Sequence, residues 1–112
     1  MAIPHVQSGE VIRLPLGTGL NSSQTTTLVK SAHWELIRLV LPAGKEIPPH
    51  KAPGEISVQC LEGRVAFTAQ GKTHELTPGQ LIYLATGEPH AVKGIEDSSL
   101  LVTILFEKSR QP

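Results

Sequence analysis

A chain of 112 residues is sized for one domain, and at that length it buries roughly two-thirds of the surface its unfolded form exposes. Ten Lys and Arg balance ten Asp and Glu, so no basic excess is present to hold a phosphate backbone and nucleic acid is not an expected partner. No basic amphipathic helix or long apolar run points to a membrane, residues 1–20 lack the charged start and apolar core of a signal peptide, and the single Cys60 cannot close an internal disulfide, so the expected home is the cytoplasm.

The first thirty residues are irregular. Residues 17–27 are polar and glycine-containing, and residues 1–30 read as a lead-in with irregular or edge strands. Beyond them, residues 31–108 are the expected barrel of one all-β domain. Turn signals recur at Pro42-Ala43-Gly44, Pro53-Gly54, Glu62-Gly63, Gln70-Gly71, Pro78-Gly79 and Gly87-Glu88-Pro89, with short runs rich in Val, Ile, Leu, Thr and Phe between them. That spacing is the mark of a sandwich or barrel of short strands.

Two runs show the two-residue period of a strand with unlike faces. Ile56, Val58 and Cys60 oppose Glu55, Ser57 and Gln59; Val65, Phe67 and Ala69 oppose Arg64, Thr68 and Gln70. With hairpin turns at Glu62-Gly63 and Gln70-Gly71, residues 55–76 are expected to form a compact meander. The run 99–106 differs: Leu100, Val102, Ile104 and Phe106 share one face, while Leu101 and Leu105 occupy the other. A strand apolar on both faces is usually covered on both, so a homodimer is expected.

Two stretches, residues 44–63 and 79–94, resemble the paired motifs of the cupin superfamily, and the short link between them resembles small single-domain, RmlC-like cupins. Gly44, His50 and Gly63 fall on the spacing of the first motif; Gly79, Gly87 and His90 fall on that of the second, with Ala85 in place of its Pro and Gly94 in place of its Asn. The resemblance implies a single-domain jelly-roll barrel (a double-stranded β-helix), in agreement with the strand reading. It also implies a barrel pocket with His50 and His90 facing it, walled by Ala52, Ile56, Val58 and Cys60, with Tyr83 a further candidate.

Metal-binding cupins carry two His and a Glu in the first motif and one His in the second. Here Ala52 stands at the second His position and Ile56 at the Glu position, with Glu55 one residue early. Neighbouring side chains of a regular strand point to opposite faces, so Glu55 joins His50 and His90 as a ligand only if a bulge near Pro53-Gly54 turns it inward. With it, the set of two His and a carboxylate would suit a divalent transition metal (Fe, Mn, Ni, Zn or Cu); without it, the two imidazoles serve as polar anchors for a ligand. No organic cofactor is implied.

Three functions stay open. The first is a small-molecule-binding cupin, with or without a metal. The second is a metal-dependent enzyme of the dioxygenase, isomerase or decarboxylase class using His50 and His90. The third is metal-free acid–base catalysis of the epimerase kind, with Tyr83 as the opposing acid. His5, His33 and His74 have no partner at ligand spacing, and Cys60, on the interior face with no basic neighbour, is read as inert. Pro48-Pro49 is read first as the end of a barrel edge, and it could also present His50 on a stiff, extended arm.

Overall fold

A computed structural model describes residues 5–106. After a 3₁₀ helix at Gly17–Ser22, nine strands follow in chain order: β1 (Thr26–Lys30), β2 (Trp34–Leu41), β3 (Glu46–His50), β4 (Glu55–Glu62), β5 (Val65–Ala69), β6 (Lys72–Leu76), β7 (Leu81–Leu84), β8 (His90–Gly94) and β9 (Ser98–Leu105). They form two antiparallel sheets, one in the order β1-β2-β9-β4-β7 and the other β3-β8-β5-β6. This is the jelly-roll barrel that the resemblance implies, built from the short strands the turn spacing predicts. Among the described residues no helix is long and apolar enough to cross a membrane.

The two-residue period explains the core. Leu41 of β2, Ile56, Val58 and Cys60 of β4, Val65 and Phe67 of β5, Val92 of β8 and Leu100 of β9 project between the sheets and are nearly solvent-free. The alternate residues of β4, Glu55, Ser57 and Gln59, lie on the outer side, where exposure rises.

The expected meander over residues 55–76 is corrected in one half. Gln70-Gly71 does turn a hairpin, β5 pairing β6 from Val65↔Leu76 to Ala69↔Lys72. Glu62-Gly63 instead turns a corner: β4 pairs β7 and β9 in one sheet, whereas β5 pairs β6 and β8 in the other. Gly63 makes the corner possible. Its φ is +84°, and a Cβ there would lie 2.2 Å from Asp97 O, so the site excludes every other residue on both sterics and backbone conformation.

The lead-in is organised by long-range contacts. β1 is the edge strand beside β2, with a register shift between Thr27 and Val29. Before it, the chain runs along the outer side of the five-stranded sheet and is tied there by Glu62. The Glu62 carboxylate accepts from Leu16 N at 2.7 Å, Gly17 N at 3.0 Å and Ser99 Oγ at 2.6 Å. Beside it the Arg38 Nη1 donates to Arg13 O at 3.0 Å. Burial pushes the Glu62 carboxyl up, but the hydrogen bonds from Ser99, Leu16 and Gly17 and the charge of Arg38 outweigh it and hold it below the usual carboxylate range.

Candidate functional site

The site begins with a misfit in β3. On β8, His90 and Val92 are two residues apart and share the inward face, as a regular strand requires. On β3, Ile47 and His50 are three apart, which in a regular strand would put them on opposite faces. Yet Ile47 pairs Val92 and His50 pairs His90, with a register shift between them. The extra residue is a β-bulge, and it falls at Pro48-Pro49. Proline cannot donate to a ladder and is confined to edges and bulges; β3 is an edge strand. The two prolines thus do more than stiffen an arm: they occupy the bulge that turns His50 back toward His90.

The histidines then meet directly. Their ring centroids are 4.2 Å apart at an interplanar angle of 60°. Phe67 stacks on the other side of His90, 5.6 Å away and 8° from parallel. His50 is exposed, while His90 is only 6% exposed, so the pair runs from the rim into the interior.

Each ring is held by the same short contact. His50 Nδ1 lies 3.0 Å from Pro48 O, and His90 Nδ1 lies 3.0 Å from Glu88 O. A carbonyl oxygen only accepts, so Nδ1 carries the hydrogen in both rings, and in the neutral form Nε2 is left with its lone pair. Burial pushes the His90 pKa down, and the neighbouring His50 lowers it further, against the opposing pull of the Glu88 carbonyl. His90 is therefore the neutral imidazole at neutral pH.

Behind the pair the barrel is hollow. A cavity of about 310 Å³ is lined from one sheet by Ile37, Leu39, Ile56, Val58, Leu100, Val102 and Ile104, and from the other by Ile47, Phe67 and Val92. His50, His90, Lys51 and Thr25 are its polar side chains, and all but His90 are exposed at its mouth.

The structure brings together His50, His90, Ala52, Ile56 and Val58 around this cavity. It does not bring in three other candidates. Glu55 is opposite Leu105 in an unbroken register with Ile56↔Ile104, so no bulge turns it inward, and it accepts a hydrogen bond from Tyr83 Oη at 2.5 Å on the outer face. Gly54 serves another purpose: a Cβ there would overlap Leu105 O at 1.8 Å, so glycine is needed for the close passage of two backbones. Tyr83 is 59% exposed, and its hydrogen bond to Glu55 raises the phenol pKa further; it is no acid for the cavity.

Cys60 faces inward in the core but is not among the residues that line the cavity. Its Sγ lies 3.7 Å from Glu62 O and 3.8 Å from Gly63 O, and the residue is fully buried. Burial raises the thiol pKa, which fits an inert core cysteine. His5, His33 and His74 are exposed and lie outside the site.

A divalent metal would need more than the chain supplies here. Two Nε2 lone pairs suit an imidazole-binding cation, but catalytic centres usually hold three protein ligands. Among the described residues no group of three or more His, Cys, Asp and Glu side chains is placed to hold a metal ion. With Ala52 and Ile56 lining the cavity beside the histidines, the residues present do not complete a metal centre.

Several features of the site escaped the sequence reading. Phe67 was legible as an inward residue from the alternation of Val65, Phe67 and Ala69, but only the pairing Ala69↔His90 and Phe67↔Val92 places it beside His90. Ile47 and Val92 share this status. The signal for Val92 was its two-residue offset from His90.

Comparison with known proteins agrees with this architecture. The family described as Cupin domain matches residues 37–106. L-ectoine synthase of Hahella chejuensis is 28% identical over 93 residues, covering 69% of this chain and 70% of that protein. Among solved structures, a conserved protein of unknown function from Streptococcus pyogenes superposes with a TM-score of 0.76, at 24% identity over 97% of both chains. A cupin superfamily protein from Desulfitobacterium hafniense superposes with a TM-score of 0.71, at 17% identity over 74% of this chain and 76% of that one. From the two histidine-bearing motifs, the jelly-roll sheets and the family match over most of the barrel, the chain belongs to the cupin family.

Proposed function

We propose that this protein binds a small, mostly apolar molecule inside the barrel, anchored at its polar end by His50 and His90. The observation that carries this reading is the cavity itself: about 310 Å³ of apolar space opening beside two fixed imidazoles. Small-molecule sites are concave and largely apolar, with a few placed polar groups, and their volumes start near 300 Å³. At about 30 Å³ for each water-sized group, the space suits a ligand of about ten non-hydrogen atoms.

Burial of the ligand's apolar surface would supply most of the affinity, at about 25 cal/mol per Å², less the cost of immobilising it. The histidines would orient it. Their rings are already held by Pro48 O and Glu88 O, so little ordering remains to be done on binding.

The test is a thermal-shift and calorimetric screen of small apolar alcohols, phenols, amides and acids against the wild type and against Val102→Phe. Val102 lines the cavity from β9, and the larger side chain would fill it. Binding to the wild type and none to the folded variant is the expected result; equal binding to both would refute the site.

A second reading, a metal-dependent enzyme using His50 and His90, is favoured by the two lone-pair-bearing Nε2 atoms and by the relative named L-ectoine synthase. The remaining ligands of such a metal would come from solvent or from the bound molecule. Elemental analysis of wild type and His50→Ala, purified without chelator, decides it: near one metal per subunit, lost in the variant, supports this reading.

A further inference from the structure

We infer that the molecule taken up by this cavity presents a hydroxyl group, as a phenol or an alcohol, to the His50–His90 pair, and not a carboxylate or a carbonyl. The inference rests on the cavity being a ligand site and adds the polarity of its anchor. That polarity follows from two side-chain-to-backbone hydrogen bonds, one at the rim and one part-buried. Nδ1 of each ring donates to a carbonyl two residues upstream, Pro48 O and Glu88 O, at 3.0 Å in both cases.

A neutral imidazole has one N–H. With that N–H used on Glu88 O, buried His90 keeps an acceptor and no donor at Nε2, and the Nδ1 contact of His50 with Pro48 O leaves the same acceptor on its neutral ring. A carbonyl or ether at this end would set lone pair against lone pair and leave the acceptor of buried His90 unmatched. A carboxylate would do the same at the Nε2 atoms, and its charge would be answered only by Lys51 out at the exposed mouth while the rest of its hydration is lost. An ammonium could donate, but it would share the mouth with the charge of Lys51. A hydroxyl meets both demands, since its hydrogen goes to an Nε2 while its oxygen accepts from Lys51 or water.

The rest of the ligand is set by the walls. Phe67 lies 8° from parallel to His90 and lines the cavity beside it as an aromatic wall, and Ile47, Ile56 and Val102 supply apolar sides. A phenol with a short alkyl group fits the polarity, the aromatic wall and the volume together.

The experiment compares four probes of nearly one shape, 4-ethylphenol, 4-ethylanisole, 4-ethylbenzoate and ethylbenzene, by calorimetry on chelator-treated protein near neutral pH. 4-Ethylphenol is expected to bind about ten-fold or more tighter than the other three, the margin of one matched against one unmatched hydrogen bond. His90→Phe, which keeps a flat ring there, should narrow the margin of 4-ethylphenol over ethylbenzene, and the double variant with His50→Phe should abolish it. Histidine ¹⁵N NMR of the unliganded wild type should show Nδ1 protonated and Nε2 bare in both rings, a result independent of whether the variant folds.

Equal affinities for phenol, ether and hydrocarbon in the wild type, tighter binding of the carboxylate, or a protonated Nε2 in either neutral ring would overturn the inference while leaving the cavity as a ligand site. Failure of all four probes to bind would remove the ligand site itself and the inference with it.

Discussion

His50 and His90 are direct cross-strand partners in the β3–β8 ladder, with ring centroids 4.2 Å apart, although His50 stands three residues from its inward neighbour Ile47. The extra residue at Pro48-Pro49 reconciles the two facts. The bulge is thus part of the site and not a defect of the edge strand.

Deletion of Pro49 tests this. Removing one residue restores a regular register and turns His50 to the outer face. The expected outcome is a folded protein, by circular dichroism, whose affinity for a cavity ligand falls at least as far as in His50→Ala. Unchanged affinity would show that the bulge does not aim His50.

Filling the hollow should separate stability from function. Val102→Phe is expected to leave the protein as stable as the wild type or more stable by about 0.5–2 kcal/mol, as cavity-filling changes commonly are, while ligand binding is lost. Phe67→Ala should destabilise the fold instead. Phe67 is only 1% exposed, and its truncation should cost about 3–5 kcal/mol in urea unfolding.

Much of this arrangement was legible in the sequence, and the reasons for the rest are physical. The strands were readable because Ile56, Val58 and Cys60 and then Val65, Phe67 and Ala69 alternate cleanly with polar residues. His50 and His90 were readable from motif spacing. The outward aim of Glu55 was also implicit in its parity with Ile56, but the possible bulge at Pro53-Gly54 left it open. The bulge lies instead at Pro48-Pro49, and Gly54 accommodates Leu105 O. Which sheet a strand joins is a long-range matter, so the corner at Gly63 read as a hairpin. Cys60 shares the inward face of Val58 but does not line the cavity, and a two-residue period tells inside from outside, not which inward residues border a hollow.

The Glu62 tie predicts a pH dependence of defined sign. Its carboxyl is held below the usual carboxylate range, so the stability it contributes is fully present above the ordinary Glu value of about 4.3 and is lost as pH falls through the lower folded-state value. Glu62→Gln should lose about 1–3 kcal/mol near neutral pH and show a flatter stability profile in acid. Hydrogen exchange at Leu16 and Gly17 should quicken in the variant. An acid profile identical to the wild type would contradict the role assigned to Glu62.

Cys60 should resist thiol reagents. With the residue fully buried and the thiol pKa raised, modification should occur only at the rate of global opening, and denaturant should release it. Rapid labelling of the native protein would show that the interior at Cys60 is open.

The outer face of the five-stranded sheet bears on assembly. Leu105 is 49% exposed there, in a row with Trp34 and Glu55, and Leu81 and Tyr83 are also exposed. A homodimer across this face would cover them. Light scattering is expected to give twice the monomer mass for the wild type and the monomer mass for Leu105→Glu; a monomeric wild type would set the dimer aside.

The most direct test of the central claim is a methyl-resolved NMR titration with a small apolar alcohol or phenol. Shifts confined to Ile37, Ile47, Ile56, Val58, Val92, Val102 and Ile104, together with the ring signals of His50 and His90, are the predicted result. Shifts at the outer-face residues Leu81, Leu101 and Leu105, with the cavity methyls unmoved, would contradict it.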